Sequence, residues 1–480
     1  MSRTLSNPIK FALHAPEPEQ VGQPPLVAFL TRTWLLLVCI ALLGYAVMGR
    51  GFAYLGIPPL FVGELLIIAG FGCLLVCGRW WVILRMPQLI ALMALFGWCG
   101  LRTVPFIKTY GMDALRDAII YAYGLYAFMV AAVIVCQPTL LVMLVDKYKL
   151  FVKIFLLGVP FLWPAFLFFG VQRDMIPHWP WADISMLYLK AGDLQVHLGG
   201  ILAFWASEVG GATSIAWFIP MFFNAAMLGP VNRGGMLAFI ASIVMSMIFK
   251  PINRWAWGFI IVATFGISFL LATGISFNIP GSERPVSGEQ LLANFMSVLG
   301  QKGNTDDGDL QGTKEWRLEF WNRIINDTFY GQYFWTGKGF GINLVSDYGM
   351  NIDAEETVRA PHNGHMTMLA RAGVPGFTLW LIVHLGWAAG MVDGYVRARI
   401  AGRKVWAGLF MWVLIYWLMI VINCSFDPYI EGPMGGVWLW SIYGVGVAAM
   451  WLRKTEPDLF EPAVPVQPRG FDVLAEMGKS

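Results

Sequence analysis

The sequence predicts an all-α polytopic membrane protein, and three observations carry that prediction. Of its 480 residues, 57% are hydrophobic and only 13% are charged, against roughly 25% charged in a soluble domain. The apolar residues are gathered into about twelve runs, near 33–48, 63–78, 87–101, 118–136, 150–171, 197–207, 213–228, 234–249, 256–274, 375–392, 406–423 and 434–452. The polar residues are gathered into one long segment, 275–361.

In chain order this gives a polar tail over 1–32, nine spans over 33–274, a cap segment with short helices over 275–374, three spans over 375–452 and a second tail over 453–480. The N-terminal tail, MSRTLSNPIKFALHAPEPEQ, lacks the layout of a cleaved signal peptide, so residue 1 is expected to stay on the chain. Several runs fall short of the ~20 residues that cross a hydrocarbon core, and their neighbours must extend them. The stretch 197–228 reads either as two spans joined by a glycine turn or as a broken re-entrant pair.

Lysine and arginine in the short loops set the orientation. With a cytoplasmic N-terminus, the inner loops hold Arg79 and Arg85, then Lys147, Lys149 and Lys153, then Lys250 and Arg254, then Arg397, Arg399, Arg403 and Lys404, and last Arg453 and Lys454. Both termini then lie in the cytoplasm. Segments 102–117, 172–196, 229–234 and 275–361 face the opposite side, before the tenth span in the case of the long one. Within it, 287–300 reads as a short amphipathic helix, 303–313 as a turn-rich loop and 313–329 as a helix, followed by the glycine-aromatic stretch YGQYFWTGKGFGIN at 330–343.

Composition also excludes several classes. The net charge of +3 implies no polyanion, hence no nucleic-acid partner. The six cysteines, at 39, 73, 77, 99, 136 and 424, all sit in or beside apolar runs, which indicates neither a disulfide framework nor a thiolate metal site.

Polar side chains with a cost attached stand on the outer side. Arg233 opens a span against the charge bias and is followed by two glycines; it reads as a snorkelling interface residue or as part of a site that the glycines let a ligand approach. Arg317 lies beside Trp316 with Trp321 one turn on, and reads as an exposed helix face unless, with Arg323 and Lys338, it cradles a phosphate. In RAPHNGHMTMLARAGVPG, 359–376, Pro361 favours extended backbone before it, so a helix is expected from about His362. His362, His365 and Leu369 would share its face, with Met366 and Met368 packing, and Gly373, Pro375 and Gly376 would break it before the next span. Either histidine alone is more often structural than catalytic.

Metal chemistry has little support. His362 and His365 have suitable spacing for a shared metal, yet no HExxH pattern or cysteine partner accompanies them, and Asp353, Glu355 and Glu356 are loop-borne. Asp113 and Asp117 form either a carboxylate pair or the polar start of a helix, the latter preferred. No metal or other cofactor is expected.

Order and spacing then supply a resemblance. Arg233-Gly234-Gly235 opening a span, Arg317 to Trp321 in a long outer loop, Gly337 to Gly341, and His362-Asn363 through Gly373 and Gly376 resemble the O-antigen ligase and polymerase superfamily, most strongly over 229–392. The turn reads NRGG where the commoner form is SRG. The resemblance implies a GT-C-like, metal-independent glycosyltransferase of the bacterial inner membrane, with its active site facing the periplasm. It implies as donor a glycan on undecaprenyl diphosphate, and as acceptor a hydroxyl on a lipid- or glycan-linked partner, with membrane lipids around it. By the resemblance, Arg233 and Arg317 hold the donor diphosphate and His362 is the essential histidine. Asn363, Arg359, Trp321 and His365 are supporting candidates. Two arginines in a partly dry site can stabilise a leaving diphosphate, and a histidine titrating near neutrality suits a general base.

Ligases and polymerases share these motifs, and the span count with a late outer loop tilts the expectation toward a ligase. A transporter or flippase would instead place ionisable residues at span centres, where only Glu64 and His384 qualify.

Overall fold

The computed structural model describes residues 24–78, 80–211, 213–250, 254–278, 285–292, 308–351 and 358–460. Helices dominate, because in a bilayer each backbone amide must be satisfied within its own segment. In chain order they are α1 (Pro25–Met48), α2 (Val62–Cys77), α3 (Pro87–Tyr110), α4 (Met112–Ala122), α5 (Leu125–Cys136), α6 (Thr139–Ala165), α7 (Ala191–Ser207), α8 (Phe218–Leu228), α9 (Arg233–Phe249), α10 (Arg254–Thr273), α11 (Gly308–Ile325), α12 (Gly364–Ile400), α13 (Lys404–Asn423) and α14 (Pro433–Thr455). Two small antiparallel pairs complete the set, Gly56–Ile57 with Leu60–Phe61 and Ser276–Asn278 with Pro285–Ser287.

The twelve apolar runs are largely helical, the 118–136 run being split across α4 and α5, but length separates them. Among the described residues six helices are long and apolar enough to cross a membrane, or seven if the bent pair α4 and α5 counts as one span; α2, α8 and α9 are shorter. The chain is an all-α membrane protein, and twelve full crossings is a finer statement than these lengths carry. The 197–228 region forms α7, a turn and the eleven-residue α8, so its second half is a short helix.

Several boundaries differ from expectation. Helix α1 begins at Pro25, not near 33, because Pro24 and Pro25 supply a fixed φ at a helix start. Lys147, Lys149 and Lys153 do not form a loop: the helix runs unbroken from Thr139, with wider turns continuing to Gln172, and Asp146 pairs with Lys149 one turn away at 2.8 Å. The turn-rich reading of 303–313 fails from Gly308, where α11 starts; residues 293–307 lie outside the described set, as do the acidic positions 352–357.

The core is built around α7, which is buried along nearly its whole length and packs on α9 and α13, while α14 packs on α5. Loops sort to two ends. At one, Lys250 pairs with Glu208 at 2.6 Å, Arg403 with Asp458 at 2.6 Å, and Trp406 donates to the Pro457 carbonyl at 2.9 Å. At the other, Lys190 meets Asp427, and the 330–343 loop meets α3 and α4.

Candidate active site

The second end gathers the polar side chains, and the backbone explains how. At α12 the helix begins not at His362 but at Gly364. Asn363 is its N-cap, its Oδ1 accepting from the amides of His365 at 3.0 Å and Met366 at 3.1 Å. His362 therefore stands in the turn before the helix, with φ of 52°, in the left-handed region a non-glycine residue rarely occupies. The expected shared face of His362, His365 and Leu369 is thus overturned: Asn363 wins the cap because its side chain satisfies amides that the helix end leaves open.

His365 points elsewhere. Its Nδ1 accepts from Trp380 Nε1 at 3.1 Å, so the proton sits on Nε2, which reaches the Val421 carbonyl and Cys424 Sγ, both at 3.3 Å. Both nitrogens are thus engaged in the helix packing, away from His362.

The cap helix α11 closes over His362. Trp321 Nε1 donates to the Pro361 carbonyl at 2.9 Å, and the Trp316 ring stands edge-on to the His362 imidazole with centroids 6.0 Å apart. Trp316 is fixed in turn by its bond to the Met350 carbonyl at 2.9 Å, and Phe320 packs beneath. Arg317, between them on the helix, has its Nε–H buried with no hydrogen-bond partner in the protein. Such a group is expensive to leave unmade. Burial draws the Arg317 guanidinium below the usual arginine value, and Asp427 pulls the other way.

Asp427 was not foreseen, and it links the cluster. It pairs at 2.9 Å with Lys190, the residue directly before α7. Burial works against the Lys190 ammonium, yet Asp427 and Asp193 together hold its pKa above the usual lysine value. Asp193 accepts from Asn423 Nδ2 at 3.2 Å. His362 is held below its ordinary value, first by burial and then by Arg317 and Lys190, with Asp427 acting against them. It is neutral at pH 7 and can accept a proton.

Arg233 opens α9 beside this group. Asn232 caps the helix by accepting from Gly235 N at 2.8 Å. The two glycines serve close approach: a Cβ at Gly235 would lie 2.6 Å from Gly192 Cα, and one at Gly234 would lie 2.9 Å from Phe426 Cβ. Arg233 thus sits between the start of α7 and the turn that carries Asp427, so all three expected residues reach one end of the bundle. A further carboxylate, Glu431, accepts from Thr367 Oγ1 at 2.7 Å; burial, opposed by that bond and by Arg371, pushes its pKa up to about 7.

Arg359 is not in this group. Its guanidinium faces Asp113 at 3.4 Å and Asp117 at 3.5 Å and donates to the Gly341 carbonyl at 2.9 Å. Asp113 lies in the first turn of α4 as expected, but Asp117 also pairs with the buried Arg371 at 2.9 Å and accepts from Gly341 N at 3.0 Å. These groups fasten the GKGFG loop to α4 and α12.

The loop also explains the break in α12. At Gly373 (φ 70°) the helix is interrupted, and Pro375 has no amide to give. The freed carbonyls of Ala370 and Arg371 accept from the amides of Lys338 at 2.7 Å and Gly339 at 3.0 Å, and Ala372 accepts from Trp98 Nε1 at 2.8 Å. Val374 N in return donates to the Phe334 carbonyl at 2.8 Å. A side chain at Gly337 would strike the Arg371 carbonyl at 2.4 Å, so only glycine lets the strands of backbone meet.

Residues 218–381, which include Arg233, Arg317 and His362, match the family model described as O-antigen ligase. This stretch is similar to the O-antigen ligase family. The resemblance to the O-antigen ligase and polymerase superfamily, read from the motifs, holds. No curated protein sequence matches the chain. Lys190, Asp193, Asp427 and Glu431 lie outside the matched residues and join the same polar end.

The two residues that a transport reading would use make packing contacts, with His384 Nε2 left without a hydrogen-bond partner. Glu64 caps α2 and accepts from Tyr123 Oη at 2.7 Å, while His384 accepts from Trp417 Nε1 at 3.3 Å within an aromatic shell.

Proposed function

We propose that the protein is a ligase-like glycosyltransferase that moves a glycan from undecaprenyl diphosphate to an acceptor hydroxyl at the periplasmic face of the inner membrane, with both termini cytoplasmic. The observation that carries this reading is Arg317: a cation with an unpartnered, buried Nε–H, on a helix clamped over a neutral histidine. Arginine forks match phosphate oxygens, and Arg233 opens a helix close by.

In the step itself, the acceptor oxygen attacks the anomeric carbon and its proton passes to His362. The bond from that carbon to the diphosphate oxygen breaks, and the configuration inverts. Arg317 and Arg233 take up the charge that grows on the leaving diphosphate, which serves the transition state more than the ground state. The charge is carried by side chains, so the step needs no metal. Lys190 is held protonated by Asp427 and adds to the positive wall.

The test is transfer from a synthetic undecaprenyl-diphosphate glycan in detergent containing EDTA. Transfer by the wild-type protein and its loss in His362→Ala is the expected result; transfer retained by His362→Ala overturns the base assignment. A polymerase would instead elongate lipid-linked repeats, and deletion of its gene would leave single repeats where deletion of a ligase leaves polymer on its carrier.

A further inference from the structure

A cavity of about 320 Å³ opens at the end of the bundle that carries the Arg403–Asp458 pair, away from His362, where the start of α3, the far half of α12 and the last turns of α14 come together. Gly390 allows that approach: a Cβ there would lie 2.5 Å from Met450 Sδ and 3.0 Å from Gln88 Nε2. Three cations line the space, Arg85, Arg453 and Lys454. The carboxylate in the lining, Asp393, is engaged by Arg397 Nε at 2.7 and 2.8 Å. Among the described residues, no carboxylate pairs with any of the three cations. For Arg453 the deficit is inside the protein, because its Nε–H is buried and has no hydrogen-bond partner there. Such a donor is costly unless something accepts from it.

We propose that this cavity binds a phosphate group, carried by the headgroup of an acidic phospholipid. Two guanidinium forks and an ammonium suit phosphate oxygens, and a pocket between membrane helices keeps them within reach of one headgroup. Helix α3, 24 residues long, starts at Pro87 in the cavity lining, and the positive end of its dipole favours an anion. Arg85 is held in place by its stack on Trp81, 4.7 Å from the ring centroid. The lipid source follows from the same segments: Trp81, Leu84, Ile90 and Val392 are exposed apolar residues along which acyl chains can lie while the headgroup enters. Basic residues also offset the dipole at the end of α14, but that role needs no cavity and leaves Arg453 Nε unmade. The site is separate from the polar end around His362 and does not rest on the function proposed for it.

The test uses the full chain purified in dodecyl maltoside, with phosphatidylglycerol, phosphatidylcholine of the same acyl chains, and inorganic phosphate added in turn and retention read by native mass spectrometry. One phosphatidylglycerol per chain is expected, retained about fivefold better than phosphatidylcholine. Arg453→Gln and Arg85→Gln should each remove that preference; Arg85 is exposed, so the second variant tests the site even where the first fails to fold. Arg399→Gln alters an exposed cation that does not line the cavity and should leave retention unchanged. An equal loss in Arg399→Gln would reduce the effect to attraction by a basic surface, and full retention in both cavity variants would put the lipid elsewhere; either result overturns the proposal. Displacement of phosphatidylglycerol by inorganic phosphate would overturn the lipid source and support a site for free phosphate. Retention of neither lipid nor phosphate would overturn both.

Discussion

Trp321 donates its indole N–H to the carbonyl of Pro361 at 2.9 Å, and this bond ties the cap helix to the residue directly before His362. Replacing Trp321 with Phe keeps the packing and deletes the bond. Because small misplacements of a reacting group cost up to about a hundredfold in rate, kcat is expected to fall at least tenfold with little change in unfolding temperature. An unchanged kcat would reduce Trp321 to a packing residue.

The pH dependence follows from the charges around His362. Burial, Arg317 and Lys190 depress its pKa, so its neutral, proton-accepting form persists below the ordinary value of 6.5. The acid limb of kcat/KM should therefore lie below pH 6.5. Asp427→Asn removes an influence that raises the pKa and should move the limb further down; Lys190→Gln removes one that lowers it and should move the limb up. Shifts in the same direction would sink the electrostatic account.

Asn363 is expected to matter for shape rather than for contact with substrate. Asn363→Ala removes the cap of α12 and should cost about 1 kcal/mol of stability, while Asn363→Asp restores the cap and most of the activity. Thermal unfolding of both variants beside the transfer assay separates these effects; failure of Asp to rescue would give Asn363 a more direct part.

Arg371 and Asp117 form a pair with side chains 2% and 9% exposed. Losing either partner leaves a charge in the interior, and Arg371→Met or Asp117→Asn should each destabilise by about 3–5 kcal/mol. The double variant should lose less than the sum, since it strands neither charge. Denaturation of the three variants in detergent measures the coupling directly.

The sequence made the helices legible because apolar runs admit one backbone solution in lipid, and motif order offered Arg233, Arg317 and His362 as candidates that the fold brings to one end of the bundle. It hid the cap of α12: His362 and Asn363 are adjacent, and which of them starts the helix depends on a side-chain bond that spacing does not display. Arg359 misled because its charge sits beside His362 in sequence while its partners, Asp113 and Asp117, come from more than two hundred residues earlier. Lys190 and Asp427 were hidden for the same reason, being 237 positions apart. Each did leave a trace, as a charge in a segment between apolar runs.

The interruption at Gly373 has a mechanical consequence. As a single straight rod, the 37 residues of α12 would be about 55 Å long, well beyond a hydrocarbon core of ~30 Å. Divided at the glycine, the helix becomes a short head carrying the Asn363 cap and a long shaft in lipid, and the head is moored to the 330–343 loop by its own carbonyls. Tilt of the shaft to match bilayer thickness is then expected to be taken up at that joint. The position of the turn that carries His362 is thus set by the loop that moors the head rather than by the shaft.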